Sequence, residues 1–145
     1  MAARSTERKT FLHAIFVTAL EGGIGYWSTC TSYHWSKPGT GPDSFEGRVD
    51  DLEGFHATIA TDGSERTGAD EGAQLYTIDI DTIARGINKI CNGTATFGTR
   101  PLASGPESFR ARMVEANREL DAGNIDAGDA DNIVQVGLWG DVIYG

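Results

Sequence analysis

"ALEGGIGYWSTCTSYHWS", residues 19–36, decides the fold, because the hydrophobic period changes inside it. On its N-terminal side Phe11, Leu12, Ile15, Phe16, Ala19 and Leu20 recur as pairs four apart, the apolar stripe of an amphipathic helix. Ser5 or Thr6 can cap that helix, and Glu7 lies in the first turn, where the helix dipole favours an anion. Gly22 and Gly23 are expected to end it, since glycine tolerates the left-handed conformation at a helix C-terminus. After the glycines the period becomes two. A strand over 26–35 places Trp27, Thr29, Thr31, Tyr33 and Trp35 on one face, and Tyr26, Ser28, Cys30, Ser32 and His34 on the other.

Working outward, "SKPGTGPDSFEGRVDDLEG" (36–54) holds two prolines and four glycines and reads as a long loop. "FHATIAT" (55–61) is a second strand, 62–72 a polar loop and "QLYTI" (74–78) a third strand. Ile80, Ile83, Ala84, Ile87 and Ile90 then take helical spacing behind Asp79 at the N-cap position, and Gly93 is a stop. Residues 94–105 read as a loop. A third helix is expected with Gly105 at its cap, Pro106 as its first residue, a stripe of Phe109, Met113, Ala116 and Leu120, and Gly123 past its end. A fourth begins near Asp126, with Asp129 at its third position and Ala130, Ile133, Val134, Gly137 and Leu138 facing inward. The apolar tail "LWGDVIYG" is expected to dock. The sum is an α+β fold, about four helices packed on a small antiparallel sheet of about three strands, in one domain over residues 1–145.

A chain of 145 residues with 39% apolar residues, 19 Gly and 4 Pro has length enough for one core and is rich in turns. The net charge is −9, and residues 121–145 carry five aspartates with no lysine or arginine. Such a surface repels nucleic acid and anionic membranes, so neither is expected as a partner, and the plain reading is a solvated face. The two cysteines, Cys30 and Cys91, cannot make a zinc site alone. The apolar run Phe11–Leu20 is too short to span a bilayer, and no export signal is read, which points to a reducing cytosol.

Recognised chemistries fail one by one. "DAGNIDAGDADN" (121–132) lacks the order of an EF-hand, and helix capping accounts for Asp126 and Asp129 as it does for Asp79 and Asp81. His13, His34 and His56 have no metal-binding spacing, and no nucleophile elbow or phosphate loop is present. No catalytic residue, metal or cofactor is therefore assigned. Arg110, Arg112 and Arg118 read as a solvated face. What remains is the aromatic segment as a ligand site: Tyr26, Trp27, Tyr33 and Trp35 to stack on a planar ring, Glu21 to accept from a ribose or base edge, and Gly22 and Gly23 to let a ligand approach the backbone. The competing reading is core packing between helix and sheet, favoured for Trp27 and evenly placed for Tyr33 and Trp35.

"VTALEGGIGYWS" (17–28), "TIDIDTIARGI" (77–87) and "ADNIVQVGLWGDVIYG" (130–145) together resemble motifs of a family of small bacteriophage proteins, notably of actinobacterial phages, and cover a little over a quarter of the chain in matching order. The resemblance implies a phage accessory protein acting in the host cytoplasm, and implies no reaction. The leading expectation is a non-enzymatic protein that binds and sequesters a nucleotide-derived host defence signal, with Arg85, Arg100 or helix N-terminal amides meeting its phosphate. The alternatives are an acidic protein–protein inhibitor of a host factor, working through the C-terminal helix or the 36–54 loop, a small enzyme on a nucleotide or carbohydrate using Glu21 with His34 or His56, and a virion or assembly component. Self-association is left open.

Overall fold

A computed structural model describes residues 4–35, 52, 54–61, 74–103 and 105–144, except for the side chains of His34 and Trp35. The expected loops at 36–54 and 62–72 therefore lie almost wholly outside the described residues. Within those described, α1 (Thr6–Thr18) is followed by three strands, β1 (Ser28–Trp35), β2 (Phe55–Thr61) and β3 (Leu75–Asp79), and then by α2 (Ile80–Cys91). A hairpin of β4 (Thr96–Phe97) and β5 (Arg100–Pro101) precedes α3 (Phe109–Glu119), α4 (Ala127–Trp139) and β6 (Asp141–Val142). The fold is α+β.

The first sheet is antiparallel in the order β1-β2-β3. Ala57, Ile59 and Ile78 on its inner face are fully buried, and the helices cover that face. The strict alternation expected for β1 fails at one point. A bulge between Cys30 and Ser32 shifts the register, so Cys30 pairs with Ile59 and Tyr33 with Ala57. Cys30 and Tyr33 thus share a face they were expected to divide, because one extra residue inverts the pleat beyond it. Thr31, the extra residue, donates its hydroxyl to the Thr58 carbonyl at 3.1 Å.

α1 begins as expected, with Ser5 accepting from the Arg8 amide, and Phe11, Leu12, Ile15 and Phe16 are buried. Its end differs. The chain widens into one π-helical turn, Ala19–Gly23, closed by the Ile24 amide on the Ala19 carbonyl at 3.0 Å. α2 is the central helix. Asp79 and Thr82 form a reciprocal capping box, and Ile80, Ile83, Ile87 and Ile90 are buried. α2 crosses α4 at a glycine pair: a Cβ on Gly86 would stand 2.0 Å from the Ile133 carbonyl oxygen, and one on Gly137 would stand 2.2 Å from that of Thr82. Two backbones touch there, which no other residue type permits.

α3 starts three residues later than expected. Ser108, not Gly105, caps it, accepting from the Ala111 amide at 3.1 Å, an acceptor that glycine lacks. It ends at Leu120, which takes the left-handed conformation (φ 54°). Arg112 and Arg118 lie on the exposed side of the helix as expected, and Arg110 is half-buried. Arg110 donates to the Cys91 carbonyl at the end of α2, and Arg112 forms a two-pronged pair with Asp129 at 2.9 and 3.0 Å. α4 has the predicted cap, Asp126 with Asp129 completing a capping box.

The second sheet, β5-β4-β6, was not foreseen; residues 94–105 read as loop because two-residue strands carry no period. β4 pairs antiparallel with β5 and parallel with β6, which ties the C-terminal segment to the hairpin. Among the described residues no helix is long and apolar enough to cross a membrane.

Candidate functional site

The aromatic segment does not act as one surface. Its two ends go to different neighbours, and the turn before β1 decides how. Trp27, in that turn, is 2% exposed. One face of its ring stacks on Tyr144 (centroids 5.1 Å apart, planes 3° from parallel), and Trp139 leans against it at 5.4 Å. Its indole N–H donates to Asp131 Oδ1 at 2.7 Å. Trp27 is therefore core, with no free face for a guest.

Asp131, 4% exposed on α4, is the centre of a buried polar network. Its Oδ1 also accepts from Gln135 Nε2 at 2.9 Å, and its Oδ2 accepts from the Tyr26 hydroxyl at 2.6 Å. Gln135 in turn accepts at Oε1 from the Ile143 and Tyr144 amides, both at 2.8 Å, and its Nε2 donates to the Tyr144 carbonyl at 3.2 Å. One amide side chain thus supplies what a neighbouring strand would have given the chain after β6. Buried polar groups of this kind are stable only when each is satisfied, and here Asp131 has three donors.

Tyr26 joins this network through its hydroxyl. Its ring remains 60% exposed and forms one wall of a hollow of about 380 Å³. Phe97 and Gly98 of the β4–β5 hairpin, Asn132 of α4, and Val142, Ile143 and Tyr144 complete the lining. The lining carries no charged side chain. It offers two exposed aromatic rings, Tyr26 and Phe97 (36% exposed), and one primary amide, Asn132.

The other end of the segment lies elsewhere. Tyr33, 46% exposed, stacks on Phe55 at 5.8 Å and touches Phe16 at 6.0 Å, and His13 packs on the far side of that group at 5.1 Å from Phe55. Burial raises the Tyr33 phenol pKa above its ordinary value, and the negative charges of Glu21 and Cys30 raise it further. Glu21 is thus an electrostatic neighbour of Tyr33, not a lining residue of the hollow. It is exposed on the π-helical turn, and among the described residues it makes no hydrogen bond or ion pair. Gly22 is exposed. Gly23 is buried for a packing reason: a Cβ there would lie 2.7 Å from the Ala127 carbonyl oxygen, so the wide turn can rest on α4 only with glycine. Trp35 ends β1 opposite Phe55, and its side chain lies outside the described ones.

Of the residues named from the sequence, only Tyr26 lines the hollow. Phe97, Gly98, Asn132, Val142, Ile143 and Tyr144 were missed. The tail "LWGDVIYG" was expected to dock, and that docking is what builds one wall. Asn132, a polar residue between buried neighbours on α4, was a second available signal.

The five C-terminal aspartates are internal acceptors. Asp121 accepts from the Gly123 amide, Asp126 from that of Asp129, and Asp141 from the Thr96 hydroxyl and the Thr99 amide, alongside the buried Asp129 and Asp131. Among the described residues no group of three or more His, Cys, Asp or Glu is placed to hold a metal ion. No protein-family model matches the chain, and no curated protein and no solved structure matches it.

Proposed function

We propose that this protein binds a planar, nucleotide-like small molecule in the hollow beside Tyr26 and holds it without converting it. The observation that carries the reading is the lining itself: two exposed aromatic rings and one amide around about 380 Å³, next to a rigid buried network. Small-molecule sites are typically concave, mostly apolar, and carry a few fixed polar groups. Ring stacking of a base is worth ~1–3 kcal/mol, and the Asn132 amide can both donate to and accept from a base edge.

The same lining supports sequestration rather than turnover. It contains no carboxylate, imidazole or thiol, the groups that most often move protons at neutral pH. Glu21, the sequence's candidate acid or base, stands with Tyr33 instead. The resemblance to phage accessory proteins supplies the setting, a host cytoplasm in which a nucleotide-derived defence signal is kept out of circulation. An inhibitor working through acidic charge on the C-terminal helix is less favoured, because those aspartates bind the protein's own donors.

Calorimetric titration of the full chain with ribonucleosides and mononucleotides, followed by chromatography of the recovered ligand, tests this. The reading expects saturable binding and unaltered ligand. Absence of binding at millimolar concentration, or a changed product, overturns it.

A further inference from the structure

We propose that Arg100 is the anion contact of this hollow, so that its ligand is a single nucleoside phosphate rather than a free nucleoside; the inference rests on the hollow being the ring-binding site. The argument begins in the β4–β5 turn. Phe97 pairs with Arg100 across a two-residue connection, Gly98 and Thr99, whose φ angles are +54° and +69°. Both central residues are left-handed, the tight hairpin turn whose twist matches the strands it joins. Glycine adopts that conformation freely. Threonine, branched at Cβ, does not.

Two hydrogen bonds hold the strained turn. The Thr99 amide donates to Asp141 Oδ1 at 3.0 Å, and the Gly98 amide donates to the Val142 carbonyl at 2.9 Å. Directly paired residues of an antiparallel hairpin project to the same face, so the turn sets the Arg100 side chain beside Phe97, which lines the hollow. Asp141 registers with Thr96, one residue out of phase, and accepts its hydroxyl at 2.8 Å. The acid that pins the turn therefore shares the face of Thr96, opposite that of Arg100, and makes no ion pair with it.

Among the described residues the other arginines are engaged. Arg85 donates to the Gly137 carbonyl, Arg110 to that of Cys91, and Arg112 to Asp129. Arg100 is exposed and makes no hydrogen bond or ion pair among the described residues. A guanidinium presents paired donors that match two phosphate oxygens, and an acidic protein needs such a local cation if it is to hold an anion at all. The volume limits the guest: about 380 Å³ is near the lower end of the ~300–1,000 Å³ usual for small-molecule sites, room for one nucleotide unit rather than two.

The test is calorimetry on the full chain with adenosine, guanosine, cytidine and uridine and with their 5′- and 3′,5′-cyclic monophosphates, for the native protein, Arg100→Gln and Arg100→Lys. Arg100 is exposed, so equal melting temperatures are expected and folding is checked by them. At least one phosphate form should bind ten-fold or more tighter than its nucleoside. Arg100→Gln should remove that advantage and leave any nucleoside affinity unchanged, and Arg100→Lys should keep part of it. Equal affinity of nucleoside and nucleotide in the native protein, or a phosphate advantage that survives Arg100→Gln, overturns the role of Arg100 and leaves the ring site standing. If no member of the panel binds, the ring site falls and this inference falls with it.

Discussion

The α2–α4 crossing and the small β4–β5–β6 sheet are joined end to end along the chain, yet they are built on opposite terms. At the crossing two helix backbones meet through Gly86 and Gly137 with no room for a methyl group. The sheet has strands of two residues, a turn with threonine in a left-handed conformation, and a hollow against its side. The first arrangement maximises packing and allows no adjustment. The second leaves apolar and aromatic surface uncovered, which a protein tolerates where that surface has a use. Asp131 joins the two: it sits on the tightly packed helix and, through Tyr26 and Gln135, fixes the position of the hollow's walls.

The largest effect should come from the crossing. Gly137→Val would drive two branched methyl groups into the Thr82 carbonyl, and we expect a loss of about 3 kcal/mol or more, with loss of the folded state in a domain of ordinary stability. Urea denaturation checks this; a variant within 1 kcal/mol of the native protein would mean that the helices do not meet as described. Next is the joint. Asp131→Ala leaves the Trp27 indole N–H buried without its acceptor and the Gln135 amide with the Tyr144 carbonyl alone, at a cost of about 2–4 kcal/mol. Tyr26→Phe removes one donor while keeping the ring, so about 1 kcal/mol is expected. A smaller loss for Asp131→Ala than for Tyr26→Phe would contradict the network.

At the sheet the sign reverses. Thr99→Gly relieves a left-handed threonine and should leave stability unchanged or raise it by up to about 1 kcal/mol, the unfolded-state entropy of glycine offsetting part of the gain. Measured loss of more than ~1 kcal/mol would show that the threonine side chain has a stabilising role that the turn geometry does not explain. The smallest effect is pH-dependent and lies outside both regions. Burial lowers the His13 pKa below its ordinary 6.5. Folding therefore favours the neutral imidazole, and the stability this group contributes is present above pH 6.5 and declines as the pH falls below it. His13→Phe should flatten the melting temperature between pH 7.5 and 5.5 relative to the native chain; an unchanged slope would assign the acid sensitivity to other groups.

How much of this was legible in the sequence varies with the kind of signal. α2 was readable in full because isoleucines repeat at helical spacing behind Asp79, and both cues act within a few residues. The bulge at Thr31 was not, since a single inserted residue leaves composition and local propensity unchanged and shows only in the register with β2. The π-helical turn after Thr18 was read as a plain glycine stop, because the reason for it, the rest of Gly23 on α4, is more than a hundred residues away. The use of the C-terminal charge was legible in part: the capping roles of Asp126 and Asp129 follow from local sequence, whereas the pairing of Asp129 with Arg112 and of Asp131 with Trp27 and Tyr26 appears only when the fold brings those residues together. The candidate site was legible at one residue of its lining for the same reason. Tyr26 was named, while Phe97 and Asn132 join it only through the pairing of β4 with β6 and the docking of the C-terminal segment.

The central claim is that the working surface is the hollow at Tyr26 and not the Tyr33 cluster seven positions along the chain, in β1. The most direct measurement is an amide NMR titration of the nitrogen-labelled full chain with the same 5′-mononucleotides. We expect the largest shifts at the Gly98 amide, the Asn132 side-chain amide and the Ile143 amide, with Tyr33 and Phe55 unmoved. Shifts centred on Glu21 and Tyr33, with Gly98 and Asn132 unchanged, would contradict the account.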